Sequence, residues 1–212
     1  MTRTRVLLVD DHAVVRMGFK LLLQATDDIE IVAEADRGEE AVRLYDEIRP
    51  DVLVMDLSMP GIGGVEAIRR ILAHDRRARI LALSAHEDTS HPKRVLRAGA
   101  LGYLCKRGAP EALIEAIRIT AKGQRYLDAQ IAQRMAMQDL NGEQGPIDTL
   151  SEREFEVFLQ LARGQTVNQI AQTLALSTST IGTHLYNIKQ KLNVSNQAEL
   201  TLIAIRHHLI EA

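Results

Sequence analysis

Val52-Leu53-Val54-Met55 is an unbroken apolar run that stops on a carboxylate, Asp56, and passes at once into the loop Ser58-Met59-Pro60-Gly61-Ile62-Gly63-Gly64. Apolar residues without alternation suit a short strand covered on both faces, the pattern of a parallel sheet. In open α/β sheets, ligands bind beyond the carboxyl ends of the strands, so Asp56 stands where chemistry is usually done. One such aspartate proves little, because a strand-end carboxylate often caps the next helix. The other strands decide the matter.

Arg5–Val9 is a second buried-strand pattern, and it ends in two acids, Asp10 and Asp11. His12–Ala25 reads as a helix, and Ile29–Ala35 partly alternates, as an edge strand does. Further helices are predicted over Gly38–Ile48, Gly63–His74, about Asp88–Ala98 and Pro110–Lys122, the last with proline in its first turn. Strands are predicted over Arg79–Ser84 and Leu101–Lys106. Five alternations of strand and helix predict an α/β fold with a doubly wound, flavodoxin-like, five-stranded parallel sheet.

Three strands then end in Asp10-Asp11, Asp56 and Ser84, a fourth ends in Lys106, and right-handed crossovers put these ends on one rim. Carboxylates crowded there repel one another and titrate upward unless a cation joins them. A hard divalent ion such as Mg2+, retaining several waters, suits an open rim and oxygen ligands. It also removes the electrostatic objection to an incoming phosphate dianion. Lys106 and Ser84 offer a charge and a hydroxyl to phosphoryl oxygens. The pattern predicts that Asp56 is a nucleophile that takes a phosphoryl group as an acyl phosphate. Singly, Asp10 or Asp11 would be a helix cap, Ser84 a loop hydroxyl and Lys106 a solvated charge. Their joint order and strand positions carry the functional reading.

At these residues the chain resembles the receiver domain of two-component response regulators, over about Arg3 to Lys122. The motifs are Val9-Asp10-Asp11-His12, Met55-Asp56-Leu57-Ser58-Met59-Pro60-Gly61, Leu83-Ser84-Ala85 and Gly99-Ala100-Leu101-Gly102-Tyr103-Leu104-Cys105-Lys106. The resemblance implies that Asp56 accepts phosphate from a sensor histidine kinase. It implies that Asp10, Asp11, Asp56 and the backbone carbonyl of Ser58 surround Mg2+, while Ser84 and Lys106 bind the phosphoryl group. Tyr103 matches the family's aromatic switch, and the small Ala85 leaves room for the donor. Arg107-Gly108 follows Lys106 where many receivers have a cis-proline; the NarL/FixJ subgroup shares this departure, so no cis peptide is expected. A haloacid dehalogenase-type phosphatase would also use an aspartate nucleophile, but it needs a second aspartate two residues on, where this chain has Ser58. The reading is therefore of a phosphoacceptor, not an enzyme.

From Gly123 to Thr149 the pattern changes. Asp128–Leu140, with Ile131, Ala132, Met135, Ala136 and Leu140, reads as a short amphipathic helix, and Asn141–Pro146 as a flexible break. The predicted organisation is a receiver over 1–122, a linker with a short helix over 123–149, and an all-α domain over 150–212.

Four helices are predicted there. Ser151-Glu152-Arg153-Glu154 and Thr166-Val167-Asn168-Gln169 fit the capping box, Ser177 can cap the third helix, and Asn196-Gln197-Ala198-Glu199 resembles a box led by Asn. In the third helix Ile181, Leu185, Ile188 and Leu192 make one buried stripe. The other face carries Thr180, Gly182, Thr183, Tyr186, Asn187, Lys189 and Gln190, without an acid. Two helices joined by Ala175-Leu176-Ser177 make a helix-turn-helix whose second member would enter the major groove. Lys189 and Lys191 supply its positive charge. From Ile147 onward, five Lys/Arg face six Asp/Glu, so the domain is not basic and one copy should bind DNA weakly. The last helix is apolar on more than one side. Leu200, Ile203 and Ala204 are therefore candidates for pairing with a second copy, giving a homodimer on DNA.

This part resembles the LuxR-type DNA-binding domain over about Leu150 to Leu209, through Leu150-Ser151-Glu152-Arg153-Glu154, Gly164–Ala171, Leu176–Ile181 and Lys191-Leu192. Many relatives carry Lys or Arg where this sequence has Gly182. With Ser58–Gly64, Gly123-Gln124-Arg125-Tyr126 and Ala204-Ile205-Arg206-His207, the chain resembles the GacA/UvrY-like group of NarL/FixJ-type regulators. The resemblance implies phosphorylation-controlled binding to promoter DNA. A module for protein or RNA is the alternative that the non-basic charge suggests. Composition agrees with a cytoplasmic protein: 25% charged residues, formal net charge −2, one cysteine (Cys105) and no apolar run of membrane length.

Overall fold

The computed structural model describes residues 3–85, 90–140, 146–174, 176–207 and 209–210. These fall into two compact units, 1–85 with 92–129, and 86–91 with 130–212. The start of the helix expected from Asp88 and nearly all of the break expected at Asn141–Pro146 lie outside the described residues.

The first unit is built on a parallel sheet of β1 (Thr4–Val9), β2 (Ile29–Ala35), β3 (Val52–Asp56), β4 (Ile80–Ser84), β5 (Gly102–Cys105) and β6 (Tyr126–Leu127), in the order β2-β1-β3-β4-β5-β6. The expectation of five strands is one short. Tyr126 and Leu127 pair in parallel with Gly102 and Tyr103, and two residues are too few to display a strand periodicity in sequence. The helices are α1 (Ala13–Gln24), α2 (Gly38–Ile48), α3 (Gly63–His74), α4 (Ser90–Ala98) and α5 (Pro110–Ala121).

Alternation divides each strand between two layers. Val6, Leu8, Val52, Val54, Leu81 and Leu83 share one core with Leu23 of α1 and Leu113, Ala116 and Ile117 of α5. Leu7, Leu53 and Ile80 face the opposite layer and are fully buried as well. Being covered on both faces is why these strands read as continuous apolar runs. In α1, Val14, Met17 and Leu21 turn outward, at 85%, 64% and 65% exposure, although they are apolar.

The second unit contains most of α6 (Ala129–Leu140), a 3-10 turn (Pro146–Thr149), and α7 (Glu152–Ala162), α8 (Val167–Thr173), α9 (Thr178–Leu192) and α10 (Gln197–Arg206). Ser151 and Thr166 close full capping boxes, and Ser177 caps α9 through Thr180 N. At α10 the expected box is altered. Asn196 accepts from Glu199 N, but Glu199 reaches back to Ser195 N rather than to the cap residue's own N–H. Ile181, Ile188 and Leu192 enter the core as predicted, with Leu185 packed at its edge.

Candidate phosphoryl site and nucleic-acid interface

Strand order fixes the rim. β1 lies between β2 and β3, so successive connections leave in opposite directions and open a crevice at the ends of β1 and β3. Asp10 follows the last residue of β1, Asp56 ends β3, Ser84 ends β4 and Lys106 follows β5. Lys106 N donates to Ser84 O at 2.8 Å, which sets its side chain at the crevice.

There the Lys106 ammonium lies 2.6 Å from Asp10 Oδ2 and 2.8 Å from Asp56 Oδ2. Asp10 and Asp56 are buried, and Asp11 is partly exposed. Asp56 Oδ1 accepts from Ser58 N at 3.2 Å, and Asp10 Oδ1 accepts from His12 N at 2.9 Å. Asp10 Oδ2 and Asp56 Oδ2 are the oxygens that meet Lys106, and Asp11 Oδ1 meets His12 Nδ1 at 2.8 Å. Burial raises the Asp56 carboxyl above its ordinary range; Lys106 opposes that rise and the neighbouring Asp10 adds to it. One ammonium shared by two buried acids leaves negative charge in excess. Clustered carboxylate oxygens with too little counter-charge are what a hard divalent cation satisfies. Asp10, Asp11, His12 and Asp56 each offer one ligand atom, all within 4.8 Å of one another.

The loop after Asp56 is held close to the strand. A Cβ on Gly64 would sit 2.1 Å from Asp56 O, so glycine is required for α3 to start there. Glu39 of α2 accepts from Ile62 N at 3.0 Å, clamping the same loop. Ser84 and Tyr103 are fully buried and Ala85 is exposed. The described residues contain no cis peptide, as expected for Lys106-Arg107.

Two contributors were not singled out in the sequence. His12 places Nδ1 2.8 Å from Asp11 Oδ1; its signal was its position directly after the acid pair. Glu39 acts across 23 positions of chain, and no local pattern announces it.

In the second unit, Gly182, Thr183 and Tyr186 of α9 are exposed and Asn187 is half-buried. Several predicted contacts are engaged within the unit. Thr180 bonds through its hydroxyl with Ser177, and Lys189 donates to Ser195 O at 2.7 Å. Lys191 pairs with buried Glu154 at 2.6 Å, away from the Gly182–Tyr186 face. Leu200 and Ala204 do not form an outer face. Both are fully buried, because positions four apart on α10 point into the bundle, and Ile203 packs beside them. The exposed apolar residue of α10 is Leu202.

Residues 6–118 match the response regulator receiver domain, and residues 148–204 match the bacterial regulatory proteins of the luxR family. The response regulator UvrY of Escherichia coli K12 is 43% identical over 209 residues, covering 98% of this chain and 96% of that one. The response regulator GacA of Pseudomonas viridiflava is 40% identical over 210 residues, 98% of each chain. RcsB from Salmonella enterica serovar Typhimurium, bound to promoter P1flhDC in the presence of phosphomimetic BeF3-, superposes with a TM-score of 0.74 at 27% identity. That match covers 95% of this chain and 98% of RcsB. No described helix is long and apolar enough to cross a membrane.

Proposed function

Because the chain belongs to the two-component response regulators that join a receiver to a LuxR-type DNA-binding domain, we propose that Asp56 is its phosphoacceptor and that Mg2+ is held by Asp10, Asp11, Asp56 and the Ser58 carbonyl. Such proteins are transcription regulators that take their signal from a sensor kinase and act on DNA; they are not enzymes in the usual sense. The observation that carries the reading is the convergence of Asp10, Asp11 and Asp56 on one rim, where a single Lys106 ammonium serves two buried acids. Bound Mg2+ would neutralise the rim and screen an arriving phosphoryl group. Asp56 Oδ2 attacks the phosphorus of a phosphohistidine, the donor imidazole leaves, and an aspartyl phosphate remains. Lys106 then exchanges its carboxylate partner for a phosphoryl oxygen, and Ser84 takes another. Tyr103 responds to that movement of Ser84, and Ala85 leaves the approach open.

The donor reaches Asp56 past the N-terminus of α1. Val14, Met17 and Leu21 offer it an apolar stripe that begins beside Asp11 and His12, and the kinase's phosphohistidine-bearing helix is the occupant. At the other end of the signal, α9 enters the major groove of promoter DNA with Gly182, Thr183, Tyr186 and Asn187 toward the bases. Thr180 and Lys189 flank them, while Lys191 is held away from that face by Glu154. Two copies bind together, since one non-basic domain has little phosphate attraction, and Leu202 replaces Leu200 and Ala204 on the surface they share. The protein works in the cytoplasm. Incubation with radiolabelled acetyl phosphate and Mg2+ tests the central step. The wild type takes up label that Asp56→Asn does not, and equal labelling of the two proteins would place the nucleophile elsewhere.

A further inference from the structure

Gly182 occupies the middle of the outward face of α9 and has no role within the fold. Its backbone is absent from the positive-φ glycines, and a Cβ built on it meets nothing within 4 Å. Gly38, the first residue of α2, and Gly64, the second of α3, contrast with it: a Cβ there meets other atoms at 2.8 Å and 2.1 Å. Glycine is among the least favourable residues in a helix interior, and nothing in the folded chain repays it at Gly182. The remaining helical glycine with open space, Gly18, lies among exposed Val14, Met17 and Leu21, again on a face read as belonging to a partner.

The surroundings of Gly182 are equally specific. Thr183 ties its hydroxyl to Ser179 O at 3.1 Å, which turns polar character inward. Lys189 and Lys191 are tied to Ser195 O and Glu154. Tyr186, one turn on, is 64% exposed. The centre of this face is thus small and uncharged, with an aromatic ring beside it.

We infer that Gly182 is the point where α9 comes closest to the base edges of the major groove, and that its missing side chain determines which base pair the helix accepts there. This rests on reading α9 as the recognition helix. A glycine lets helix backbone and base edge meet in van der Waals contact, so a bulky edge group such as the thymine methyl fits where a longer side chain would not. Any side chain holds the helix off the groove floor and loosens the neighbouring contacts of Thr183 and Tyr186. Phosphate attraction, which is insensitive to sequence, is left as it was.

The test uses the full-length protein with acetyl phosphate and Mg2+. The probe is the strongest duplex selected by the wild type from a randomised pool, beside an unrelated duplex of equal length. Gly182→Ala is expected to melt at a higher temperature and to bind the unrelated duplex as the wild type does. It should bind the selected duplex about tenfold more weakly. Tyr186→Ala should also lose affinity for the selected duplex. If Tyr186→Ala loses affinity while Gly182→Ala does not, the recognition face stands and the role of glycine is overturned. If neither loses affinity, the assignment of the face fails and takes this inference with it. Equal weakening of Gly182→Ala on both duplexes, or a lower melting temperature, would also overturn it, by showing a general or a folding role.

Discussion

Lys106 stands 2.8 Å from Asp56 while lying 2.6 Å from Asp10, so one cation serves two buried acids. Removing it leaves both carboxylates without a counter-charge. Lys106→Met should lower stability by about 3 kcal/mol in chelator, and Mg2+ should restore part of the loss. Urea unfolding with and without Mg2+ measures both quantities.

Asp56 itself should cost the fold stability. Its carboxyl is raised above the ordinary 3.8, chiefly by burial. The native state therefore binds the proton more tightly than the unfolded chain, and stability falls as pH rises through that raised value. Asp56→Asn should accordingly be the more stable protein at neutral pH without Mg2+, by on the order of 1 kcal/mol. The advantage should shrink below pH 4 and when Mg2+ is added. Thermal melts across pH check the sign.

Glu154 behaves oppositely. Burial alone would raise it, but bonds from Lys191 and from the Ser151 backbone and side chain together lower it below the ordinary 4.5. Its contribution is complete above 4.5 and is lost as pH falls through the lowered value. Glu154→Gln should destabilise the chain by about 1–2 kcal/mol at pH 7, with the difference vanishing in acid. Denaturant midpoints of the C-terminal helices report it.

Met17→Glu places a charge in the exposed stripe of α1 without touching Asp56. Phosphotransfer from the kinase should slow about tenfold or more, whereas labelling by acetyl phosphate should be unchanged. Time courses with the two donors separate docking from chemistry.

Gly64→Ala forces a methyl group against Asp56 O. A loss of about 3 kcal/mol is expected, together with slower labelling because the loop bearing Ser58 shifts. Equilibrium unfolding and the labelling rate should change together.

Much of this was legible in the chain. Asp10, Asp56 and Lys106 could be placed because apolar runs mark strands and parallel strands share a rim. The same reasoning could not find Tyr126–Leu127, whose strand character exists only in pairing with β5, nor Glu39, whose partner lies far along the chain. It misjudged α10 because apolar content says how many faces are apolar without saying which one the bundle covers; Leu200 was core and Leu202 surface. The Lys191–Glu154 pair was equally invisible, since each residue has an obvious local role as a recognition-helix cation and as a cap. Burial and distance, not residue type, reassign them.

The two-residue strand at the sheet's edge has a mechanical corollary. Tyr126 N bonds to Leu101 O and Asp128 N to Tyr103 O, so the polypeptide leaving the sheet is laced to the strand that bears Tyr103 and leads directly into Lys106. Were that strand to shift on phosphate arrival, it would pull the outgoing backbone with it, through bonds instead of through a surface. News of the modification would travel along the thread of the chain before any docking face had to change.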